Sequence, residues 1–123
     1  MKNVLVIDDS SSVRKWLGRM FKDLGFTVYE SEDGKKALDQ VTEIEEWSLF
    51  LVDWNMPVMN GLEFIKNVRK IEKFASVPLM MITTENEMSK IVIALEAGAD
   101  EYIMKPFEKN VLVDKLKILG IEY

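Results

Sequence analysis

Runs of consecutive apolar residues alternate along the chain with stretches where apolar residues recur every three or four positions. Val4-Leu5-Val6-Ile7, Leu49-Phe50-Leu51-Val52, Leu79-Met80-Met81-Ile82 and Tyr102-Ile103-Met104 belong to the first kind. A short run that is apolar on successive positions reads as a parallel strand covered on both faces. A buried helical turn is the other reading of such a run. At 48–53 it is disfavoured by the length and by the Asn55-Met56-Pro57 that follows. A further strand is expected near 26–31.

The intervening stretches predict helices. Ser10-Ser11-Ser12 offers a helix start, and Val13, Trp16, Leu17, Met20, Phe21 and Leu24 then form one apolar face that stops at Gly25. Asp33-Gly34 opens a second helix with Ala37, Leu38, Val41 and Ile44 inward. Asn60 and Glu63 have the spacing of a capping box, ahead of Leu62, Ile65, Val68 and Ile71. Val77-Pro78 leads into the fourth strand, where proline at the first position is tolerated. Asn86 is expected to cap a fourth helix with Met88, Ile91, Val92 and Leu95 inward, ending at Gly98. Ile93 and Ala94 fall off that stripe. Ile93 reads first as an ordinary exposed apolar residue and second as part of a partner-binding patch. A closing helix over 107–119 turns Leu112, Leu116 and Leu119 inward. Five strand-helix units with short connections predict a doubly wound α/β fold with a five-stranded parallel sheet and five helices.

Composition narrows the chemistry. A length of 123 residues suits one domain, 1–123, and a 48% apolar share is enough for a core. With 21 acidic and 16 basic residues and no basic run, nucleic-acid binding is not expected. There is no cysteine and no histidine. Thiolate and imidazole metal sites and histidine-based triads are therefore excluded. The chain lacks a signal-peptide pattern and a run long enough to span a membrane, so a cytoplasmic protein is expected.

What remains is carboxylate, hydroxyl and lysine chemistry, and it collects at the strand ends. The first strand runs into Asp8-Asp9, the third into Asp53, the fourth into Thr83 and the fifth into Lys105. Parallel strands bring their carboxyl ends to one edge, where ligands bind. Each signal has a bland reading: Asp8-Asp9 as a helix cap, Asp53 as a turn residue, Thr83-Thr84 as a cap, Lys105-Pro106 as a loop. Their joint placement on four strand ends argues for one site. Asp8, Asp9 and Asp53 together repel, and a hard divalent cation such as Mg2+ relieves that repulsion while leaving room for a phosphoryl group. Asp53 is the candidate nucleophile, forming an acyl phosphate. Lys105 and the Thr83 hydroxyl are placed to offset phosphoryl charge.

With these residues in view, the chain resembles the receiver domains of response regulators. The resemblance rests on Val6-Ile7-Asp8-Asp9-Ser10, Val52-Asp53-Trp54-Asn55-Met56-Pro57, Asn60-Gly61, Ile82-Thr83-Thr84, Ala97-Gly98-Ala99-Asp100 and Lys105-Pro106-Phe107. Within that family the segment around Asp53 is most similar to single-domain chemotaxis regulators. The resemblance implies the strand order 2-1-3-4-5 known for the family. It implies Asp53 as phosphoacceptor and Mg2+ held by Asp9, Asp53 and the Asn55 carbonyl, with Asp8 acting through a metal-bound water. It also implies Thr83 and Tyr102 as switch residues, Lys105 as the phosphoryl-contacting lysine and a cis Lys105-Pro106 bond. The partners implied are a histidine kinase and an output protein, possibly a flagellar motor switch, with the chain a monomer that catalyses only its own phosphorylation and dephosphorylation.

Thr84 departs from the small residue many receivers carry there, and Asn60 from the common aspartate. Asn55 and Glu85 occupy positions that tune phosphoryl lifetime in the family. No output domain is expected. A phosphorelay intermediate or a receiver cut from a larger regulator would carry the same motifs. A metal-dependent phosphatase is disfavoured because Asp53-Trp54-Asn55 lacks a second carboxylate.

Overall fold

The apolar runs form strands because each has two faces to bury. A computed structural model describes residues 2–123, and for residues 85–87 the backbone alone. β1 (Asn3–Ile7), β3 (Leu49–Asp53) and β4 (Leu79–Thr83) are buried at every position. β2 (Thr27–Ser31) and β5 (Glu101–Met104) are only partly covered. The difference follows from the sheet order, β2-β1-β3-β4-β5, all parallel, which puts the two weaker runs at the edges.

Alternation along the strands divides the core. Val4 and Val6 face α1 (Ser11–Asp23) and α5 (Lys109–Ile118), meeting Leu17, Phe21, Leu112 and Leu116. Leu5 and Ile7 face the opposite layer of α2 (Gly34–Val41), α3 (Gly61–Arg69) and α4 (Ile91–Ala97), meeting Ala37, Val41, Phe64, Ile65, Val68 and Ala94. Burying one such aliphatic or aromatic side chain stabilises the fold by about 1.5–3 kcal/mol.

Three of the expected caps form. The Ser10 hydroxyl accepts from Val13 N–H, and the Asp33 carboxylate from Lys36 N–H. Asn60 and Glu63 make the full capping box. Gly25, just past α1, has φ 92°, a conformation that L side chains rarely adopt.

Four expectations need correction. α2 ends at Val41, so Ile44 lies beyond the helix, although it still packs on the core. In α3 the fully buried residue of the first turn is Phe64, edge-on to Phe50 at 5.9 Å, while Leu62 is half-buried. α5 starts at Lys109 rather than at 107, and Leu119 is its C-cap. The largest difference is in the fourth helix. Residues Glu85–Lys90 wind as a 3-10 helix, and only Ile91–Ala97 is α-helical. Ile91 and Ala94 face the core, whereas Met88, Val92 and Leu95 join Ile93 in solvent. The expected cap at Asn86 and the side chain of Glu85 lie outside the described residues.

At the amino-terminal edge of the sheet, Arg69 ties two loops together, the one before β4 and the one before β5. Its Nε donates to Gly98 O at 2.9 Å, and its Nη1 to Phe74 O at 2.9 Å and Val77 O at 2.7 Å. Its Nη2 meets Asp100 Oδ2 at 3.0 Å. Asp100 in turn accepts from Leu79 N–H at the start of β4. No helix among the described residues is long and apolar enough to cross a membrane.

Candidate functional site

At the carboxyl edge, the strand order sets β3 between β1 and β4, so Asp53 stands between Asp8 and Thr83. Asp8, Asp53 and Thr83 are all buried, while Asp9 is exposed. One carboxylate oxygen from each of Asp8, Asp9 and Asp53 lies within 4.8 Å of the others. Lys105 Nζ reaches in from β5, 3.5 Å from Asp8 Oδ2 and 3.8 Å from Asp53 Oδ1. Its backbone is held by the bond from Lys105 N–H to Thr83 O at 2.8 Å. The Lys105-Pro106 bond is cis, as expected.

The carboxylates are fixed by backbone donors. Asp8 Oδ1 accepts from Ser10 N–H, and Asp53 Oδ1 from Trp54 N–H, both at 2.9 Å. Burial pushes the Asp8 carboxyl above its ordinary range. The Ser10 N–H and Lys105 pull it partly back, and Asp9 adds to the rise. Among the described residues, Asp8 Oδ2 and Thr83 Oγ1 are buried with no hydrogen-bond partner. A buried polar atom left unpaired costs about 1–3 kcal/mol. Three converging carboxylates, with Asp8 Oδ2 held only by its ion pair to Lys105, could hold a hard divalent cation.

Gly61 explains how α3 can start so close to this cluster. Its N–H donates to Trp54 O at 2.9 Å, and a Cβ at that position would lie 2.3 Å from Asp53 O. Only glycine lets the helix abut the strand end. The Asn60-Gly61 pair was legible as a cap, but this close approach was not. The outer wall beside Asp9 is a shallow pocket lined by Asn55, Met56, Pro57 and Asn60. Trp54 is half-buried, with Lys90 Nζ 5.3 Å from the centre of its ring. Thr84 is half-buried next to Thr83.

A family profile decides what this arrangement belongs to: residues 4–117 match the response regulator receiver domain. The chain is a response-regulator receiver domain. Among curated relatives, this receiver is 43% identical over 119 residues to a chemotaxis protein CheY homolog of Campylobacter jejuni, covering 95% of this chain and 92% of the relative. It is 39% identical over 117 residues to chemotaxis protein CheY1 of Helicobacter pylori, covering 94% of each. Among solved structures, CheY4 of Vibrio cholerae superposes with a TM-score of 0.89 at 34% identity, over 97% of this chain and 98% of that one.

Every site residue expected of the receiver from its sequence lies at this edge except Tyr102. That residue is half-buried further along β5, where Lys115 Nζ lies 4.4 Å from its ring centre. Lys115 also pairs with Glu101 at 2.9 Å. Burial pushes the Glu101 carboxyl up, but Tyr102 N–H and Lys115 together outweigh this and hold it below its ordinary value. The Glu101–Lys115–Tyr102 group was not legible beforehand. A Glu and a Lys 14 residues apart meet only because β5 runs beside α5.

Proposed function

We propose that this receiver is a phosphorylation-activated switch that takes a phosphoryl group from a histidine kinase onto Asp53 and signals by protein contact, in chemotaxis. The observation that carries the reading is Lys105 Nζ standing between Asp8 and Asp53, at the same edge as a buried Thr83 hydroxyl that has no hydrogen-bond partner among the described residues. An Asp53 carboxylate oxygen attacks the phosphorus of a phosphohistidine. The P–O bond forms as the P–N bond breaks, and the electron pair stays on the imidazole nitrogen. Lys105 offsets charge on the transferred oxygens, and Thr83 Oγ1 donates to one of them. Mg2+ would be held by Asp9, Asp53 and the Asn55 carbonyl, with Asp8 alongside. When bound it supplies positive charge opposite the three carboxylates and the phosphoryl oxygens.

The resulting pull on Thr83 favours one of two conformations, and Tyr102 carries the change to the face formed by α4, β5 and α5. Chemotaxis rests on the likeness to the Campylobacter and Helicobacter proteins, and a flagellar motor switch protein is the corresponding target. Val92, Ile93 and Leu95 supply apolar contact on that face.

Intact-mass measurement after incubation with acetyl phosphate and Mg2+ tests the chemistry. A phosphoryl adduct is expected on the wild type and not on Asp53→Asn. An adduct that survives in Asp53→Asn, or none in either protein, overturns the assignment. For the output, Ile93→Lys is expected to weaken binding of the beryllium-fluoride form to a motor switch protein; unchanged binding removes Ile93 from the interface.

A further inference from the structure

Three carboxylates held within 4.8 Å of one another repel, so the backbone that carries them has to resist being pushed apart. Asp53 ends a fully paired central strand. Asp8 and Asp9 lie beyond the last residue of β1, where the ladder has stopped supporting the chain. The Asp8 N–H still donates to Ser31 O at 3.1 Å, and the Asp8 side chain accepts from Ser10 N–H. Its carbonyl is held by a side chain from outside the pocket. Arg14 Nη1, from the first turn of α1, donates to Asp8 O at 2.7 Å. The same guanidinium donates through Nε to Glu30 Oε1 on β2 at 3.0 Å. The Arg14 side chain is only 15% exposed although it lies on a helix flank.

We propose that Arg14, braced by Glu30, is a positioning residue for the metal site, fixing the Asp8–Asp9 peptide plane and so the aim of both carboxylates. The inference rests on the reading of the acid cluster as a Mg2+ site. The Asp8 carbonyl and the Asp9 nitrogen belong to one rigid peptide unit. Clamping the carbonyl therefore sets the direction in which Asp9 leaves the strand. Asp9 is exposed and lies two residues beyond Ile7, where the pairing of β1 with β2 and β3 ends. The planar fork of arginine suits the task, because one group reaches a carbonyl and a carboxylate at once. Unlike Lys105, Arg14 leaves the pocket open. It acts from behind, as the outer-shell partners of metal ligands do.

The test is calorimetric titration of Mg2+ into the full chain, alongside thermal melting without the ion. Arg14→Gln keeps most of the side chain's bulk and is expected to weaken Mg2+ binding about tenfold, the low end for outer-shell partners. Arg14→Lys is expected to recover part of that loss, and Glu30→Gln to cause a smaller one. Mg2+ affinities within about twofold of the wild type in Arg14→Gln and Glu30→Gln overturn the proposal. So does a lowered melting temperature with unchanged affinity, which marks a packing role alone. If Arg14→Gln does not fold, Glu30→Gln decides on the same threshold, because it keeps the arginine and removes only the brace. A wild type that takes up no Mg2+ overturns the reading of the site and this proposal with it. Uptake by the wild type and both variants alike overturns this proposal only.

Discussion

Val58 is the one non-glycine residue among those described with a positive φ, 66°, and it is 80% exposed. It forms the middle of a three-residue turn in which Met59 N–H donates to Pro57 O at 2.7 Å. A β-branched residue is strained there, and its exposed side chain packs on too little to compensate. Val58→Asn is expected to raise stability by about 1 kcal/mol in urea unfolding, since asparagine tolerates this conformation better. Glu101 supplies a pH dependence. Its carboxyl is held below the ordinary value near 4.5 in the folded chain. Its stabilisation is therefore fully present above that value and is lost as pH falls through the lower folded value. Glu101→Gln should destabilise by about 1 kcal/mol at roughly neutral pH and by progressively less as the pH falls through the lowered folded value. An equal effect across that range would show that the Lys115 pairing contributes no stability.

At the scale of elements, Gly61 joins α3 to the site. Gly61→Ala is expected to cost more than about 2 kcal/mol and to weaken Mg2+ binding, because the added Cβ can be accommodated only by moving α3 or Asp53. An alanine variant as stable as the wild type would show that α3 can retreat without cost. How far the elements could be read beforehand depended on how polar their outer faces are. α1 carries Lys15, Arg19 and Lys22 opposite its apolar stripe, so its inner face was unambiguous. The five strands and their order followed from the apolar runs and the family resemblance. α4 was misread because Ile91-Val92-Ile93-Ala94-Leu95 is apolar nearly all the way round. What set its inward face was the six-residue 3-10 segment ahead of it. A 3-10 helix turns about 120° per residue against about 100° for an α-helix, so the phase carried forward from Met88 is off by about 60° over three residues, and Ile91 alone of the expected stripe still faces the core. The acid cluster, Thr83 and Lys105 were legible because strand ends converge by topology alone. The Arg14–Glu30 brace was not, because it depends on how α1 lies against β2.

The whole molecule is expected to register the site as a stability. Asp8, Asp9 and Asp53 oppose folding by mutual repulsion, and a cation bound only by the folded chain stabilises it by mass action. At about 100 times its dissociation constant, Mg2+ should add about 2.7 kcal/mol and raise the melting temperature by roughly 10 °C. Asp53→Asn should melt higher than the wild type without Mg2+ and gain little when it is added. A wild-type melting temperature indifferent to Mg2+ would contradict the metal assignment. The two edges of the sheet differ in how they are fastened. At the amino edge Arg69 spends four hydrogen bonds on Gly98, Phe74, Val77 and Asp100, stitching the start of β4 to the turn before β5. At the carboxyl edge Thr83 Oγ1 has no hydrogen-bond partner among the described residues, and Asp8 Oδ2 has only the ion pair with Lys105. One rim is riveted by a single guanidinium; at the other Arg14 and Lys105 hold backbone and carboxylates but leave the Thr83 hydroxyl unlatched, so the sheet is expected to work as a clamped reed, with an impulse at Asp53 moving that free side chain before it moves the fastened rim.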